Sequence, residues 1–280
     1  MSDPAADTPH VSELAGLWDR VSHARGRMLI LDYDGTLAPF VVNRREAFPL
    51  DGIRETLCAI RDETETQLAI LTGRPIRQIL GLLGDLGIPV AGSQGTEFRY
   101  PDGRWFTLLP SAAQRARLIQ AEREALSLAP PERVERKPAS VALHTRGVPA
   151  AEALAAEKSI CRLWSENSTE IGLRCRPFLG GVELRLEEIT KGTAIIALLD
   201  GCSDADLVVY VGDDETDEDA FRALKGRGVA IRVGETGTPT CADAMLRDVA
   251  DVRWFIRRWL DVERGRNATG QERSTHGSRQ

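Results

Sequence analysis

Residues 28–36 read Met-Leu-Ile-Leu-Asp-Tyr-Asp-Gly-Thr, and this stretch decides the fold class. The four apolar residues at its start predict a buried strand, and the polar turn after them places Asp32 and Asp34 at the carboxyl end of that strand. Gly35 allows a tight backbone turn, so both carboxylates can reach one point. Such a pair suits a hard cation such as Mg²⁺, although an ordinary turn whose aspartates cap the next segment explains it equally well.

Further apolar runs alternate with helical patterns on either side of this strand. The sequence predicts strands at 68–71, 88–91, 207–211 and 229–233, and helices at 53–60, 75–83, 191–199 and from Glu215 onward. Strands that alternate with helices predict an α/β fold with a doubly wound parallel sheet of the Rossmann type. The carboxyl ends of such strands share one edge of the sheet, where reactive groups gather.

The pattern changes between residues 102 and 187. Helical stretches at 111–128 and 149–165 accompany predicted strands at 134–137, at 140–146, near Ile171 and near Val182. Paired helices with antiparallel strands indicate an inserted α+β domain, because the parallel pattern resumes at Lys191. We therefore expect a sheet domain formed by 1–101 and 188–262, ending in a helix at 252–262, an insertion at 102–187, and a disordered polar tail at 263–280.

Composition excludes several classes of function. The 280 residues carry a formal net charge of −6 and a pI near 5.4, which argues against a surface that binds nucleic acid or an anionic membrane. The sequence shows neither an apolar signal segment nor a run of about 20 apolar residues. Its five cysteines lack paired spacing, so we expect reduced, mostly buried thiols in a cytoplasmic protein. We also expect a small-molecule substrate and a monomeric protein.

A second acidic cluster follows the predicted strand at 207–211. Residues 212–218 read Gly-Asp-Asp-Glu-Thr-Asp-Glu, and a solvated helix start, which favours acidic residues, would explain them alone. Acidic clusters at two strand ends of one sheet repel each other unless a cation lies between them. The two clusters together therefore favour a metal site.

Two further segments contain groups that can bind an anion. Thr72-Gly73-Arg74 ends a strand, where a hydroxyl and backbone N–H groups can hold a phosphate oxygen, although a threonine N-cap explains it as well. Lys191 lies at a helix start, against the preference of the helix dipole, which indicates an anionic partner. These groups suit phosphoryl transfer, in which a carboxylate attacks phosphorus, a metal and a lysine neutralise the phosphate, and a second acid protonates the leaving oxygen.

The order of these motifs resembles the haloacid dehalogenase (HAD) superfamily of phosphatases. Within it, the sequence is most similar to trehalose-6-phosphate phosphatases, through Leu-Asp-Tyr-Asp-Gly-Thr-Leu-Ala-Pro at 31–39, the acidic segment at 212–221 and Glu-Arg-Lys-Pro-Ala-Ser at 135–140. The resemblance covers residues 27–260. It implies Mg²⁺-dependent hydrolysis of trehalose 6-phosphate, a step of trehalose biosynthesis, through an aspartyl-phosphate.

The resemblance also implies roles for individual residues. Asp32 would be the nucleophile and a metal ligand, and Asp34 would be the acid/base group and a metal ligand through its backbone carbonyl. Asp213 would bind the metal, with support from Asp214 and Asp217. Phosphate binding would fall to Thr72, Gly73, Arg74 and Lys191.

In this family the inserted domain is a cap that recognises the sugar. Alternation along 140–146 places one set of side chains on a single strand face, namely Ser140, Ala142, His144 and Arg146. A structural histidine or a solvated charged face would explain these residues without a ligand. The resemblance instead implies sugar contacts by Glu135, Lys137, His144, Arg146, Glu183 and Gln94.

The sequence departs from the family pattern at three places, one short string and two single positions. The family typically has Asn-His-Gly-x-Glu where residues 93–97 read Ser-Gln-Gly-Thr-Glu, a tyrosine at the position of Thr145, and a proline at that of Leu186. None of these is a predicted metal or phosphate residue. They leave open a pseudo-disaccharide phosphate of the validoxylamine type or a glycosyl-phosphoglycerate as the substrate.

Two other classes of protein use similar residues. A phospho-accepting signalling module also has an acceptor aspartate, a threonine and a lysine on a parallel sheet, but it lacks an inserted domain. Asp34 favours hydrolysis, because a second acid two residues after the nucleophile activates water, which a lasting phosphoryl switch does not need. A catalytically silent sensor would have lost a core catalytic residue, and no such loss is visible.

Overall fold

The computed structural model describes residues 14–201, 206–235 and 237–277. The helices of these segments are α1 (Ala15–His23), α2 (Ile53–Glu63), α3 (Ile76–Leu82), α4 (Ala112–Leu128), α5 (Ala150–Ser165), α6 (Lys191–Gly201), α7 (Asp217–Leu224) and α8 (Val249–Gly277). The strands are β1 (Arg27–Leu31), β2 (Thr66–Leu71), β3 (Val90–Gly92), β4 (Glu97–Arg99), β5 (Trp105–Thr107), β6 (Val134–Lys137), β7 (Ser140–His144), β8 (Leu173–Phe178), β9 (Gly181–Leu186), β10 (Leu207–Gly212), β11 (Val229–Val233) and β12 (Ala244–Leu246).

The larger sheet has the strand order β12-β11-β10-β1-β2-β3-β4-β5. Strands β12 through β3 of that order run parallel, and β4 and β5 add an antiparallel edge. The register aligns Leu31 of β1 with Val211 of β10 and with Ile70 of β2. The ends of β1, β2 and β10 therefore meet, and the predicted doubly wound α/β fold is confirmed.

Both faces of this sheet are buried, as the continuous apolar runs predict. Leu29 and Leu31 of β1 pack in one cluster with apolar side chains of α1, α2 and α8. Met28 and Ile30 point to the opposite face and pack with side chains of α6 and α7. Helices that cover both faces hold the strands in register and leave the carboxyl edge of the sheet open for a site.

A smaller antiparallel sheet, with the order β6-β7-β9-β8, lies in the chain between β5 and α6. Val141 and Leu143 pack with Trp164 of α5 in a separate core. Trp164 is fully buried and donates its indole N–H to the carbonyl of Ala121 on α4, at 3.1 Å. The predicted alternation along β7 is therefore confirmed on its apolar face.

Some predicted boundaries differ from the structure. β5 pairs with β4 in the larger sheet, so the smaller sheet begins well after residue 102, the predicted start of the insertion. Helix α8 continues past the predicted end at 262 to Gly277, where a disordered tail was expected. Arg264 forms an ion pair with Glu63 at 2.8 Å and Asn267 donates to the Glu63 carbonyl, so the first turns beyond 262 are fixed to α2. Residues 278–280 of that tail lie outside the described part of the chain.

The expectation of five reduced, mostly buried cysteines is wrong. Cys161 of α5 and Cys175 of β8 form a disulfide, because α5 packs against β8 and brings their Cα atoms to 5.6 Å. Cys58 is half-buried and Cys241 is exposed, while Cys202 lies outside the described residues. Reduced thiols were one ground for a cytoplasmic location, so that argument no longer holds. Among the described helices, none combines the length and the apolar character that a bilayer crossing requires.

Candidate active site

Four separated segments meet at the carboxyl edge of the larger sheet. The Asp32 amide continues the β1–β10 ladder by donating to the Val211 carbonyl, and the Thr72 amide donates to Ala91, each at 2.9 Å. The pocket above these strand ends contains most of the predicted site residues: Asp32, Asp34, Thr72, Gly73, Arg74, Gln94, Lys137, His144, Arg146, Glu183, Lys191, Asp213 and Asp214. Parallel strands thus bring together residues that are far apart in sequence.

Lys191 joins two of the acidic clusters. Its ammonium lies 3.1 Å from Asp32 and 2.6 Å from Asp217, and its side chain is buried. Their charges raise the pKa of Lys191 well above its usual range even though burial acts to lower it. The lysine at the start of α6, which the helix dipole disfavours, is therefore held by two carboxylates.

Asp217 organises this part of the site. One of its oxygens accepts hydrogen bonds from Lys191 and the Tyr210 hydroxyl, and the other accepts from the backbone N–H groups of Asp213 and Asp214. A side chain at Gly212 would overlap the Asp217 carboxylate, so the glycine of the motif makes room for it. With four donors already on its oxygens, Asp217 can support a metal only at a distance.

The acidic residues fit a divalent cation. Ligand oxygens of Asp32, Asp213 and Asp217 lie within 4.8 Å of one another, and Asp213 Oδ1 is buried with no hydrogen-bond partner among the described residues. Burial and the neighbouring charge of Asp217 raise the pKa of Asp32 to about 7 despite Lys191, and burial with the charge of Asp32 raises that of Asp213. Carboxylates crowded in this way are what a hard cation would stabilise.

Gly35 allows this crowding. Its φ is +73°, in the left-handed region, and a Cβ at this position would overlap the Asp213 carboxylate. The glycine of the Asp-x-Asp-Gly stretch therefore serves two purposes, the turn after β1 and the close approach of the second acidic cluster.

The carboxylate of Asp34 is paired with arginine side chains. Arg74 forms a bidentate pair with it, with both distances 2.6 Å, and also donates to the Arg44 carbonyl. Burial acts to raise the pKa of Asp34, but Arg74, together with Arg146 and Arg44, lowers it. The Arg74 guanidinium is thus paired with Asp34, while phosphate binding by Thr72, Gly73 and Arg74 stays a prediction.

Thr72 is not the N-cap of the following helix, since Pro75 takes that position. The Thr72 hydroxyl oxygen accepts the Arg74 backbone N–H at 3.2 Å, which leaves its hydrogen for another acceptor in the pocket. The alternative explanation of Thr72 as a helix N-cap is therefore excluded, and the residue lines the pocket.

The smaller sheet closes the pocket from the opposite side. Lys137 donates to the carbonyl of Gly73 at 2.9 Å and pairs with Glu183 at 2.8 Å, and Ser140 also donates to Glu183. The carboxylate of Asp214 accepts the backbone N–H of Leu179, in the turn between β8 and β9. These contacts bring Lys137 and Glu183 to the pocket and give Asp214 a partner in the smaller sheet.

Arg44 is a pocket residue that the sequence did not reveal. Its guanidinium donates to His144 at 2.6 Å and to Glu135 at 2.8 Å, and Gln78 also donates to Glu135, so Glu135 is joined to the core instead of facing the pocket directly. Arg44 begins a single turn of 3-10 helix, Arg44–Glu46, which is too short for a periodic pattern or motif to mark it.

Several other pocket residues were also missed. Phe40 stacks under Arg146, whose Cζ is 3.7 Å from the ring centre. Phe178 and Leu179 belong to β8 and its following turn, whereas Thr216 lies inside the quoted acidic motif and could have been found there. Aromatic faces and charged groups in one pocket are typical of a site that binds a sugar through ring and hydroxyl contacts.

Two of the three departures from the family pattern are not in the pocket. Thr145 donates its hydroxyl to Glu157 of α5, at 2.5 Å. Leu186 is buried in the core of the smaller sheet. Gln94 alone lines the pocket.

Comparison with known proteins identifies the family. The family model described as trehalose-phosphatase matches residues 30–249, which is more than half of the chain. The chain belongs to the trehalose-phosphatase family. Members named trehalose-phosphate phosphatases are phosphoric monoester hydrolases, which agrees with the buried lysine and the acidic residues at the strand ends.

Relatives of this chain differ in length. A bifunctional trehalose-6-phosphate synthase/phosphatase of Thermoproteus tenax is 34% identical over 241 residues, covering 84% of this chain and 32% of that protein. A trehalose-phosphate phosphatase of Mycobacterium marinum is 32% identical over 237 residues, covering 80% of this chain and 59% of its own length. The chain therefore spans about a third of the first relative and somewhat over half of the second.

Solved structures share the fold. The C-terminal domain of Candida albicans trehalose-6-phosphate phosphatase has a TM-score of 0.80 at 19% identity, covering 91% of this chain and 98% of that chain. A haloacid dehalogenase-like hydrolase from Bacteroides thetaiotaomicron, with a TM-score of 0.58 at 17% identity, covers 84% of this chain and 99% of its own. The chain thus shares the overall fold of these solved structures.

Proposed function

We propose that this trehalose-phosphatase hydrolyses trehalose 6-phosphate to trehalose and inorganic phosphate through an aspartyl-phosphate on Asp32. The observation that carries the proposal is the convergence of Asp32, Lys191 and Thr72 below Lys137 and Glu183 in one pocket. The first three can act on a phosphoryl group, while the other two offer an ammonium and a carboxylate to the hydroxyls of a sugar.

The chain's own residues supply two chemical steps. In the first, an Asp32 oxygen forms a bond to phosphorus while the bond from phosphorus to the sugar oxygen breaks, and Asp34 gives that oxygen a proton. In the second, Asp34 takes a proton from water, the water oxygen bonds to phosphorus, and the Asp32–phosphorus bond breaks. The arginines around Asp34 favour its charged form, which is the form that accepts the proton in the second step.

Other residues stabilise the charge on the phosphate. Lys191 lies beside the nucleophile and neutralises the equatorial oxygens, and the Thr72 hydroxyl and Gly73 backbone bind one of them. Asp32, Asp213 and the backbone carbonyl of Asp34 would hold Mg²⁺, with Asp214 and Asp217 behind them. When bound, the ion would offset the negative charge shared by the carboxylates and the phosphate.

The substrate is tested by measuring phosphate release from a set of sugar phosphates. We expect kcat/KM for trehalose 6-phosphate to exceed that for sucrose 6-phosphate, glucosyl- and mannosyl-phosphoglycerate and a pseudo-disaccharide phosphate by at least about tenfold, the effect of one or two well-placed hydrogen bonds. A higher kcat/KM for any other member of the set would contradict the proposed substrate while leaving the phosphatase chemistry intact.

The nucleophile is tested with Asp32→Asn. An amide cannot attack phosphorus, so we expect no phosphate release above background from trehalose 6-phosphate or from an aryl phosphate. Because burial already raises the pKa of Asp32, loss of its charge should not lower the melting temperature. Retained turnover in a folded Asp32→Asn preparation would exclude the aspartyl-phosphate.

A further inference from the structure

The turn at residues 93–95 has an unusual backbone. Ser93 has a φ of +49° and Gln94 a φ of +61°, both in the left-handed region that side chains other than glycine seldom adopt, and Gly95 follows with a φ of +103°. Two successive non-glycine residues in this region cost free energy, so other contacts must hold the turn. Such turns are often found where a side chain has to be aimed at a ligand.

The contacts that hold this turn do not involve the Gln94 side-chain oxygen. The backbone N–H of Ser93 donates to the Arg74 carbonyl at 2.8 Å, and that of Gln94 donates to the Thr72 carbonyl at 3.0 Å. The Ser93 hydroxyl donates to Glu97 at 2.6 Å. The turn is thus fixed to the loop at 72–74, beside the proposed phosphate position.

The Gln94 side chain is enclosed yet incompletely satisfied. The residue is 6% exposed, and its Oε1 is buried without a hydrogen-bond partner in the described segments 14–201, 206–235 and 237–277. Its Nε2 lies so close to Gly73 that a Cβ there would be only 2.8 Å away. A buried amide oxygen with no partner is costly, which leaves a ligand hydroxyl in the pocket as the group that would satisfy it.

We infer that Gln94 determines specificity: its side-chain oxygen accepts a hydrogen bond from a hydroxyl of the sugar ring that carries the phosphate. The inference rests on the proposed function, since it places the sugar of the substrate beside the phosphate loop. Gln94 borders Gly73 in that loop, so the ring next to the phosphate is the part of the substrate within its reach. It is also the pocket position at which this chain departs from the family pattern.

The test compares two substitutions at this position with a matched control. Gln94→Met keeps the length of the side chain and removes its hydrogen-bond acceptor. Gln94→His introduces the residue typical of the family and keeps a hydrogen-bond acceptor. Gln67→Leu is the control, since Gln67 is an exposed residue of β2. Each variant is assayed on trehalose 6-phosphate, glucose 6-phosphate and para-nitrophenyl phosphate, and its melting temperature is measured to establish that it is folded.

We expect Gln94→Met to lower kcat/KM for both sugar phosphates relative to the aryl phosphate by about three- to tenfold, the effect of losing one neutral hydrogen bond. Gln94→His should restore the ratio to within about twofold of the wild type, and Gln67→Leu should leave it unchanged. An equal ratio in folded Gln94→Met and in the wild type would overturn the inference. Failure of the proposed function would appear instead in the wild type, as no preference for trehalose 6-phosphate over the other substrates.

Discussion

Asp217 shows how one buried side chain fixes the position of several reactive groups. Its carboxylate holds the Lys191 ammonium and the backbone of Asp213 and Asp214, and a glycine at 212 makes space for it. The sequence marks Asp217 only as one acid among several. Its hydrogen bonds show that it positions the groups that would act on the substrate, because both of its oxygens are already engaged.

The lowered pKa of His144 predicts how the stability of the protein depends on pH. Burial, with the charge of Arg44, lowers the pKa of His144 from 6.5 to about 4, although Glu135 acts in the opposite direction. Below pH 6.5 the unfolded chain therefore binds a proton here that the folded chain does not, and the free energy of unfolding should fall by about 2 kcal/mol between pH 7 and pH 5 from this residue.

The measurement is denaturant unfolding of the wild type and His144→Asn at both pH values. Between pH 7 and pH 5, the free energy of unfolding of His144→Asn should fall by about 2 kcal/mol less than that of the wild type. His23→Asn, at an exposed position, should show the same fall as the wild type. The same pH dependence in His144→Asn and in the wild type would contradict the interpretation. Lys137 also faces this histidine and contributes to lowering its pKa.

At the scale of elements, the segment between β1 and α2 joins the two sheets. Phe40 packs against Arg146, Val42 contacts Gly147, and Arg44 pairs with Glu135 and His144. The first strand of the core thus leads directly into a segment that contacts the smaller sheet. Closure of the pocket therefore depends on this segment as well as on β6 and β7.

The substitution Arg44→Ala tests the contact of Arg44 with Glu135 and His144. Two hydrogen bonds from a guanidinium are lost and Glu135 keeps a buried charge with fewer partners, so kcat/KM for trehalose 6-phosphate should fall about tenfold or more. Arg45→Ala is the matched control, because the neighbouring Arg45 is exposed. Equal kcat/KM values for the two variants would show that the contact of Arg44 with Glu135 and His144 does not govern closure of the pocket.

Removing the disulfide between α5 and β8 tests how much this bond stabilises the fold. Cys161 and Cys175 are 14 residues apart, and closing a loop of this size stabilises a folded chain by about 3 kcal/mol. A Cys161→Ser, Cys175→Ser variant should lose about that much free energy of unfolding and should no longer respond to a reductant. Cys58→Ser should respond like the wild type, whereas insensitivity of the wild type to the reductant would argue against a bond that stabilises the fold.

At the scale of the whole molecule, the site exists only where the two sheets face each other. The larger sheet supplies Asp32 and the other acidic residues, and the smaller one supplies Lys137, Glu183 and the Leu179 amide that donates to Asp214. Under the proposed function, a phosphorylated disaccharide would enter before Lys137 closes on the Gly73 carbonyl. Turnover would then require the contacts between the smaller sheet and the loop at 72–74 to open and re-form.

Metal binding has a consequence for the stability of the whole chain. Mg²⁺ should raise the melting temperature of the wild type, because an ion that binds only the folded acidic cluster stabilises it. Asp213→Asn should lose most of this increase, while Asp261→Asn, at an exposed position, should keep it. Chelation should also abolish phosphate release, so turnover in EDTA or a melting temperature indifferent to Mg²⁺ would oppose the proposed metal site.

The sequence by itself determined the parallel sheet and the residues at its strand ends. β1 and β10 contain apolar runs that end just before Asp32 and Asp213, so local pattern suffices to place these two residues. The order of the motifs then identified the family. The helix and strand pattern of the smaller sheet was predicted in the same way, including the 134–137 strand that matches β6.

Only the tertiary structure decided the remaining features. β4, β5 and β12 are three residues long and owe their existence to pairing with a neighbour, which no local pattern records. The bond between Cys161 and Cys175, the pairing of Arg44 with Glu135 and the unsatisfied oxygen of Gln94 all depend on groups distant in sequence. The physical reason is proximity in space, which arises only when the chain has folded and helices, strands and loops distant in sequence pack together.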